Sequence, residues 1–218
     1  MNPFKLFSIL LSYPTAELQS AIWQEIQPRL ETTPTLKEKL QPLLNELANT
    51  DLITIQENYV ATFDRNPSHA LHLFEHLHGE NRDRGSAMVN LLHEYQQQGF
   101  EPQGYELPDY LPLFLEFLAL QQDEAQAKAL LGDAVHVIAY IRDQLKSNGS
   151  LYALVFDLII EQSPVAPETL KIAPIRDMDE ALETFGPLVD GTEPLLNKKP
   201  QDVQVLKIRP RQQMNHNS

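Results

Sequence analysis

Leu130-Leu131-Gly-Asp-Ala134-Val-His-Val137-Ile138-Ala-Tyr-Ile141-Arg-Asp-Gln-Leu145-Lys-Ser-Asn148-Gly149 repeats apolar side chains at steps of three and four, then closes on Asn-Gly. A strand needs alternation at every second residue and rarely runs this long. A helix buried along one stripe has this period, and Asn or Gly suits the left-handed residue that ends it. Working outward, the same period recurs on both sides. On the C-terminal side Leu151, Leu154, Val155, Leu158 and Ile159 make another helix. On the N-terminal side Leu113, Phe114, Phe117, Leu118 and Leu120 are apolar nearly all round, so that helix should lie centrally, with Asp109 as its cap and Pro112 in its first turn. Further upstream, Met88, Leu91, Leu92 and Tyr95 define a helix stopped at Gly99. Leu52, Ile55, Tyr59 and Phe63 share the face of one capped by Thr50 or Asp51. Leu36 to Leu47 mark another, Thr15 caps one through Leu18, Ile22 and Ile26, and Phe4, Phe7, Leu10 and Leu11 precede the stop at Pro14. The expected fold is all-α, a single-domain bundle of about eight helices over residues 1–162.

From Ser163 the character changes. Proline recurs at 164, 167, 174, 187, 194, 200 and 210, Asp177–Phe185 could hold one short helix, and Val203–Arg209 alternates like a strand. Residues 163–218 are therefore expected to be a Pro-rich, mobile extension; the alternative is a segment that docks when a partner binds. Its end is basic, with Lys198, Lys199, Lys207, Arg209 and Arg211 against Asp202 alone.

The rest of the chain is strongly acidic, and the whole carries a formal net charge of −13. That field repels phosphate backbones, which argues against nucleic acid and favours basic peptides as partners. The absence of cysteine excludes a disulfide framework, a thiolate metal site and a cysteine nucleophile, and it fits a reducing compartment. No apolar run approaches the roughly 20 residues that span a bilayer, and the N-terminus lacks a small-x-small cleavage site after its single Lys5. A cytoplasmic protein without stable membrane insertion is expected.

The densest cluster of reactive residues runs from His69 to Gly85. His72 and His76 are four apart, so on a helix they would share a face and could hold a metal with Glu75 or Glu80. The order of a zinc protease motif is absent, because the glutamate directly precedes the second histidine. Histidines bonded to backbone or carboxylate at a helix junction explain the cluster more simply. Arg82 and Arg84 could present guanidinium forks to an anion, or form structural pairs with Glu75, Glu80 or Asp83. Neither a phosphate loop nor a nucleophile elbow is present, so no catalytic constellation emerges and no bound metal or cofactor is expected.

His72-Leu-Phe-Glu75-His76-Leu-His78-Gly79-Glu80-Asn-Arg82-Asp83-Arg84-Gly85-Ser-Ala87-Met88-Val89-Asn-Leu91-Leu92 resembles the central motif of NarJ-type chaperones, the delta subunits of respiratory nitrate reductase. Glu106-Leu-Pro-Asp109-Tyr110-Leu-Pro-Leu113-Phe114-Leu-Glu-Phe117-Leu118 resembles the second motif of that family, and Phe4 to Pro14 its N-terminal pattern more loosely. The wider TorD/DmsD/NarJ superfamily of redox-enzyme maturation proteins has an aromatic-x-x-Leu-Phe element, similar here to Tyr59–Phe63 with Thr62 in place of leucine. Its Glu-x-Pro-Asp-His element is similar to Glu106–Tyr110 with tyrosine in the histidine position, a departure that weakens any role in nucleotide binding.

The resemblance implies an all-helical protein that is not an enzyme. It implies binding, in the cytoplasm, to the N-terminal segment of the apo catalytic subunit of respiratory nitrate reductase. The subunit is held there until molybdenum cofactor and iron–sulfur cluster are inserted, before membrane anchoring. Proteins of molybdenum cofactor biosynthesis are admitted as further partners. The physics would be an amphipathic peptide laid in a groove between helices. Tyr59, Phe63, Phe74, Tyr110, Leu113 and Phe114 are the candidate apolar floor, and Asp64, Glu75, Glu106 and Asp109 the candidate acidic rim. His72, His76, Arg82 and Arg84 complete the candidate client-binding set. Two readings compete: a small metal-dependent or nucleotide-hydrolysing enzyme centred on His69–His78, and a structural subunit whose basic tail touches anionic lipid.

Overall fold

The computed structural model describes residues 2–78, 82–102, 104 and 106–170, without the side chains of His78, Arg82 and Asp83. The expectations for Asp177–Phe185, for Val203–Arg209 and for the basic end lie outside the described residues. Among those residues the architecture is all helical, and the sole extended pairing is a bridge between His72 and Tyr110.

Helix α1 (Pro3–Leu11) starts where Asn2 Oδ1 accepts the Phe4 N–H at 2.9 Å, with Pro3 at the position that needs no donor. Thr15 caps α2 (Ala16–Ala21) as expected. The rod continues through a π-helical turn, Ile22–Ile26, into α3 (Gln27–Leu30). Helix α4 (Pro34–Asn49) buries Leu40, Leu43, Leu44 and Leu47 on one stripe. Of the two caps proposed for α5 (Leu52–Tyr59), Asp51 serves: its Oδ2 accepts from Ile53 and Thr54 at 3.1 and 3.2 Å. A second π-helical turn, Val60–Asp64, extends α5 and carries Phe63 into the core. After a 3₁₀ turn at Pro67–His69 come α6 (Glu75–His78) and α7 (Arg82–Gln97).

Helix α8 (Leu111–Leu120) is central as its composition requires, with Leu111, Phe114, Leu115, Phe117 and Leu118 buried. It packs chiefly against α1 and also touches α9 (Glu124–Ser147). Helix α9 ends in a Schellman motif. Gly149 adopts φ +69°, Ser150 N–H reaches Leu145 O at 3.0 Å, and Gly149 N–H reaches Lys146 O at 3.1 Å. The chain then turns into α10 (Ala153–Glu161), which packs back on α9. One cluster of buried side chains runs from Phe4 to Ile159 and draws on α1 through α5, on α7 through Tyr95, and on α8, α9 and α10. Beyond α10, Val165 lies over Gly132, the Glu168 N–H donates to His136 Nδ1 at 2.8 Å, and Leu170 packs on the core. No helix among the described residues is long and apolar enough to cross a membrane.

Candidate functional site

The site begins with a crossing of two loops. The chain between α5 and α6 runs antiparallel to the chain entering α8: Leu111 N–H donates to Leu71 O at 2.8 Å, and Leu73 N–H to Asp109 O at 3.1 Å. Asp109 completes the junction. Its Oδ2 accepts the Phe74 N–H at 3.0 Å, and Oδ1 lies 3.3 Å from His72 Nδ1. This overturns two expectations. Asp109 is not the cap of α8, since Tyr110 occupies that position without a side-chain bond, and Asp109 is wholly buried rather than on a rim. A buried carboxylate needs donors directed at its lone pairs, and the loop crossing provides them.

The crossing also disposes of the shared histidine face. Because 71–73 are extended against 109–111, α6 begins only at Glu75. His72 is therefore outside the helix that holds His76. His76 is buried and its Nε2 pairs with Ala70 O at 2.8 Å; burial lowers its pKa below the ordinary histidine value. His69, also buried, spans Thr62 O (2.9 Å from Nδ1) and Asn148 Nδ2 (2.8 Å from Nε2). These rings tie loop to helix. His72 is half-buried, and the hydrogen bond to Asp109 raises its pKa, with the charge of Asp109 and then those of Glu75 and Glu106 adding to the effect.

Above the crossing lies a cleft of about 480 Å³, lined by Tyr13, Tyr59, Phe63, Asp64, Pro67, Ala70, Leu71, His72, Glu75, Glu106 and Tyr110. It unites residues drawn from α5, its π turn, α6 and the approach to α8. The aromatic wall is held from behind. Tyr59 Oη donates to Leu11 O at 2.8 Å and lies 3.3 Å from Tyr110 Oη, while its ring meets Tyr13 edge-on at 5.4 Å and Phe63 at 4.9 Å. Burial pushes the Tyr59 hydroxyl far above the ordinary phenol pKa, so it stays a neutral donor. The His72 and Tyr110 rings lie 5.4 Å apart. Of the carboxylates, Glu75 holds Arg84 Nη2 at 3.0 Å, whereas Asp64 and Glu106 stand exposed. Such a surface, which mixes aromatic and apolar side chains with carboxylates, suits a peptide with an apolar face and basic residues.

The structure thus brings Tyr59, Phe63, Asp64, His72, Glu75, Glu106 and Tyr110 together, with Arg84 beside them. Tyr59 and Phe63 are themselves core side chains that reach the cleft with little exposed surface, and Phe114, as deeply buried, does not line it; Phe74 and Leu113 pack against the core outside the lining, and His76 is buried outside it. The Arg82 side chain is outside the described residues. Tyr13, Pro67, Ala70 and Leu71 were not anticipated; in the sequence Tyr13 figures only within the Phe4–Pro14 pattern.

The sequence profile described as nitrate reductase delta subunit matches residues 24–156. The chain belongs to that family. It is 38% identical over 193 residues to NarJ of Escherichia coli K12, a nitrate reductase molybdenum cofactor assembly chaperone, covering 85% of this chain and 79% of that one. A Bacillus subtilis relative named "Probable nitrate reductase molybdenum cofactor assembly chaperone NarJ" is 33% identical over 163 residues, 72% of this chain and 85% of its own. The fold matches that of an Archaeoglobus fulgidus protein described as a "Putative Redox Enzyme Maturation Protein", with a TM-score of 0.55 at 21% identity, covering 74% of this chain and 92% of that one. The family is one of assembly chaperones, and this member is a NarJ-type chaperone rather than an enzyme.

Proposed function

We propose that this chaperone serves the maturation of a respiratory nitrate reductase. It binds the N-terminal segment of the apo catalytic subunit in the cleft and holds the subunit in the cytoplasm. Molybdenum cofactor and iron–sulfur cluster are inserted there, before membrane anchoring. The cofactor is cargo of the client, supplied through proteins of molybdenum cofactor biosynthesis, and no residue of the cleft is assigned to it. The observation that carries the reading is the convergence on one cleft of aromatic and acidic residues from both family-like motifs and from the Tyr59–Phe63 element. An amphipathic helix would bury its apolar face against Tyr13, Tyr110 and the small exposed parts of Tyr59 and Phe63, and set its basic residues against Asp64, Glu75 and Glu106.

The test is calorimetry with a peptide copying the N-terminal fifteen or so residues of the catalytic subunit. Tight binding with a negative heat-capacity change and only modest salt dependence is expected, because apolar burial dominates. No heat at high micromolar peptide would refute the reading.

A further inference from the structure

We propose that a second cleft holds an alkylguanidinium or alkylammonium group, carried by a basic side chain of a polypeptide or by a free amine. This site stands apart from the client cleft, with which it shares no lining residue.

The cleft has a volume of about 330 Å³ and lies between α4, the α5 π turn and the junction of α9 with α10. Its polar groups are left with lone pairs more than with hydrogens. Thr62 Oγ1 donates its hydrogen to Asn58 O at 2.7 Å. Asn148 Nδ2 donates to His69 Nε2 at 2.8 Å, and Asn148 Oδ1 accepts nothing among the described residues. The His69 tautomer follows from its other nitrogen. Nδ1 lies 2.9 Å from Thr62 O, a carbonyl that can only accept, so Nδ1 carries the hydrogen and Nε2 the lone pair. Glu46 lines the cleft half-buried, with neither an ion pair nor a side-chain hydrogen bond among the described residues. No lysine or arginine lines the cleft. The negative pole of α9, the longest helix described, ends here at Asn148 and Gly149.

Tyr152 is an independent sign of a ligand. It is only 6% exposed, and its ring packs on Phe63 at 4.9 Å and on Tyr59 at 6.1 Å. Its hydroxyl nevertheless makes no hydrogen bond among the described residues, and the residue lines this cleft. A buried hydroxyl without a partner costs free energy, and a ligand that supplies a donor removes that cost. An anionic, acceptor-rich lining calls for a ligand that is cationic and only donates. Guanidinium and ammonium have this chemistry, whereas carboxylates and phosphates lack it. Ala61, Leu151 and the Tyr152 ring offer apolar surface to the aliphatic stem of such a group.

The test is an amide-shift titration of the full chain by nuclear magnetic resonance at about 0.15 M salt. The ligands are agmatine and the blocked pentapeptide acetyl-Ala-Ala-Arg-Ala-Ala-amide. The control is the same peptide with citrulline, which keeps the shape and loses the charge. Saturable shifts confined to 58–62, 69 and 148–152 are expected, with a Kd of roughly 1–10 mM and none with citrulline. Glu46→Gln should weaken binding about fivefold and Tyr152→Phe about threefold. Tyr152→Phe should not lower Tm, because the hydroxyl it removes has no partner in the described fold. Tighter binding of the arginine peptide assigns the site to a polypeptide side chain, and tighter binding of agmatine assigns it to a free amine. The proposal is overturned by no shift at about 50 mM ligand, by shifts spread over the acidic surface, or by an equal response to citrulline. Unchanged affinity in either variant, or a lower Tm for Tyr152→Phe, also overturns it.

Discussion

Asp109 and His72 show how one buried carboxylate organises the site. Truncating Asp109 to alanine would strand the Phe74 N–H and remove the partner of His72, so Asp109→Ala is expected to cost about 2–3 kcal/mol in urea unfolding. Asp109→Asn, which keeps one acceptor, should cost less; equal losses would show that the acceptor is not what matters. The same contact sets a pH dependence. The His72 pKa is raised in the folded state, so its contribution is complete below the ordinary histidine value of 6.5 and fades as pH rises through the raised value. His76 has the opposite sign: its pKa is lowered by burial, so its contribution is present above that ordinary value and is lost as pH falls through the lowered one. Replacing His72 with glutamine should therefore reduce the urea midpoint most near pH 6 and least near pH 8.5. A wild-type-minus-variant difference that stays constant across this range would rule the charged contact out.

At the scale of elements, caps and stops were legible because they are local. Thr15 and Asp51 bond to N–H groups two or three residues on, and Asn148-Gly149 closes α9 by a backbone conformation that Gly favours. Gly149→Ala must hold a Cβ at φ +69° and is expected to cost about 1 kcal/mol, a fall of roughly 2–4 °C in Tm. An unchanged Tm would mean that the turn relaxes to another form.

The π turns were not legible. They insert one residue into a helix without changing which residue types appear, and their carbonyls are satisfied at a distance, as Thr62 O is by His69. Asp109 was misread for a related reason. A carboxylate just before a helical run looks like a cap, and its real partner, the Phe74 N–H, lies thirty-five residues away in sequence. Phe114 and Leu113 were misassigned to the floor because an all-apolar helix does not announce which face meets solvent. Family resemblance singles out Tyr59, Phe63 and Tyr110, which line the cleft, whereas Tyr13 reaches it through contacts distant in sequence, the Pro14–Gln56 bond and the Tyr59 ring.

For the whole molecule, the decisive feature is that one core links the N-terminal helices to α8, α9 and α10. A single core implies a single cooperative transition, in which loosening any layer exposes the others. The single tryptophan, Trp23, sits half-exposed in the first π turn on the α2–α3 rod, away from the cleft lining. Its fluorescence reports that layer, whereas far-ultraviolet circular dichroism reports all helices, so coincident melting curves are expected and separated ones would divide the bundle into independent units. Client binding adds to the same transition by mass action. A peptide that binds only the folded cleft, present at one hundred times its Kd, stabilises the fold by about 2.7 kcal/mol. Spread over a chain of this size, that raises Tm by roughly 5–11 °C. Because the core is shared, the increase should appear equally in Trp23 fluorescence and in circular dichroism, although the peptide touches neither α2 nor α3. A rise in circular dichroism alone would show that the cleft half is stabilised separately, and the single-core account would then fail.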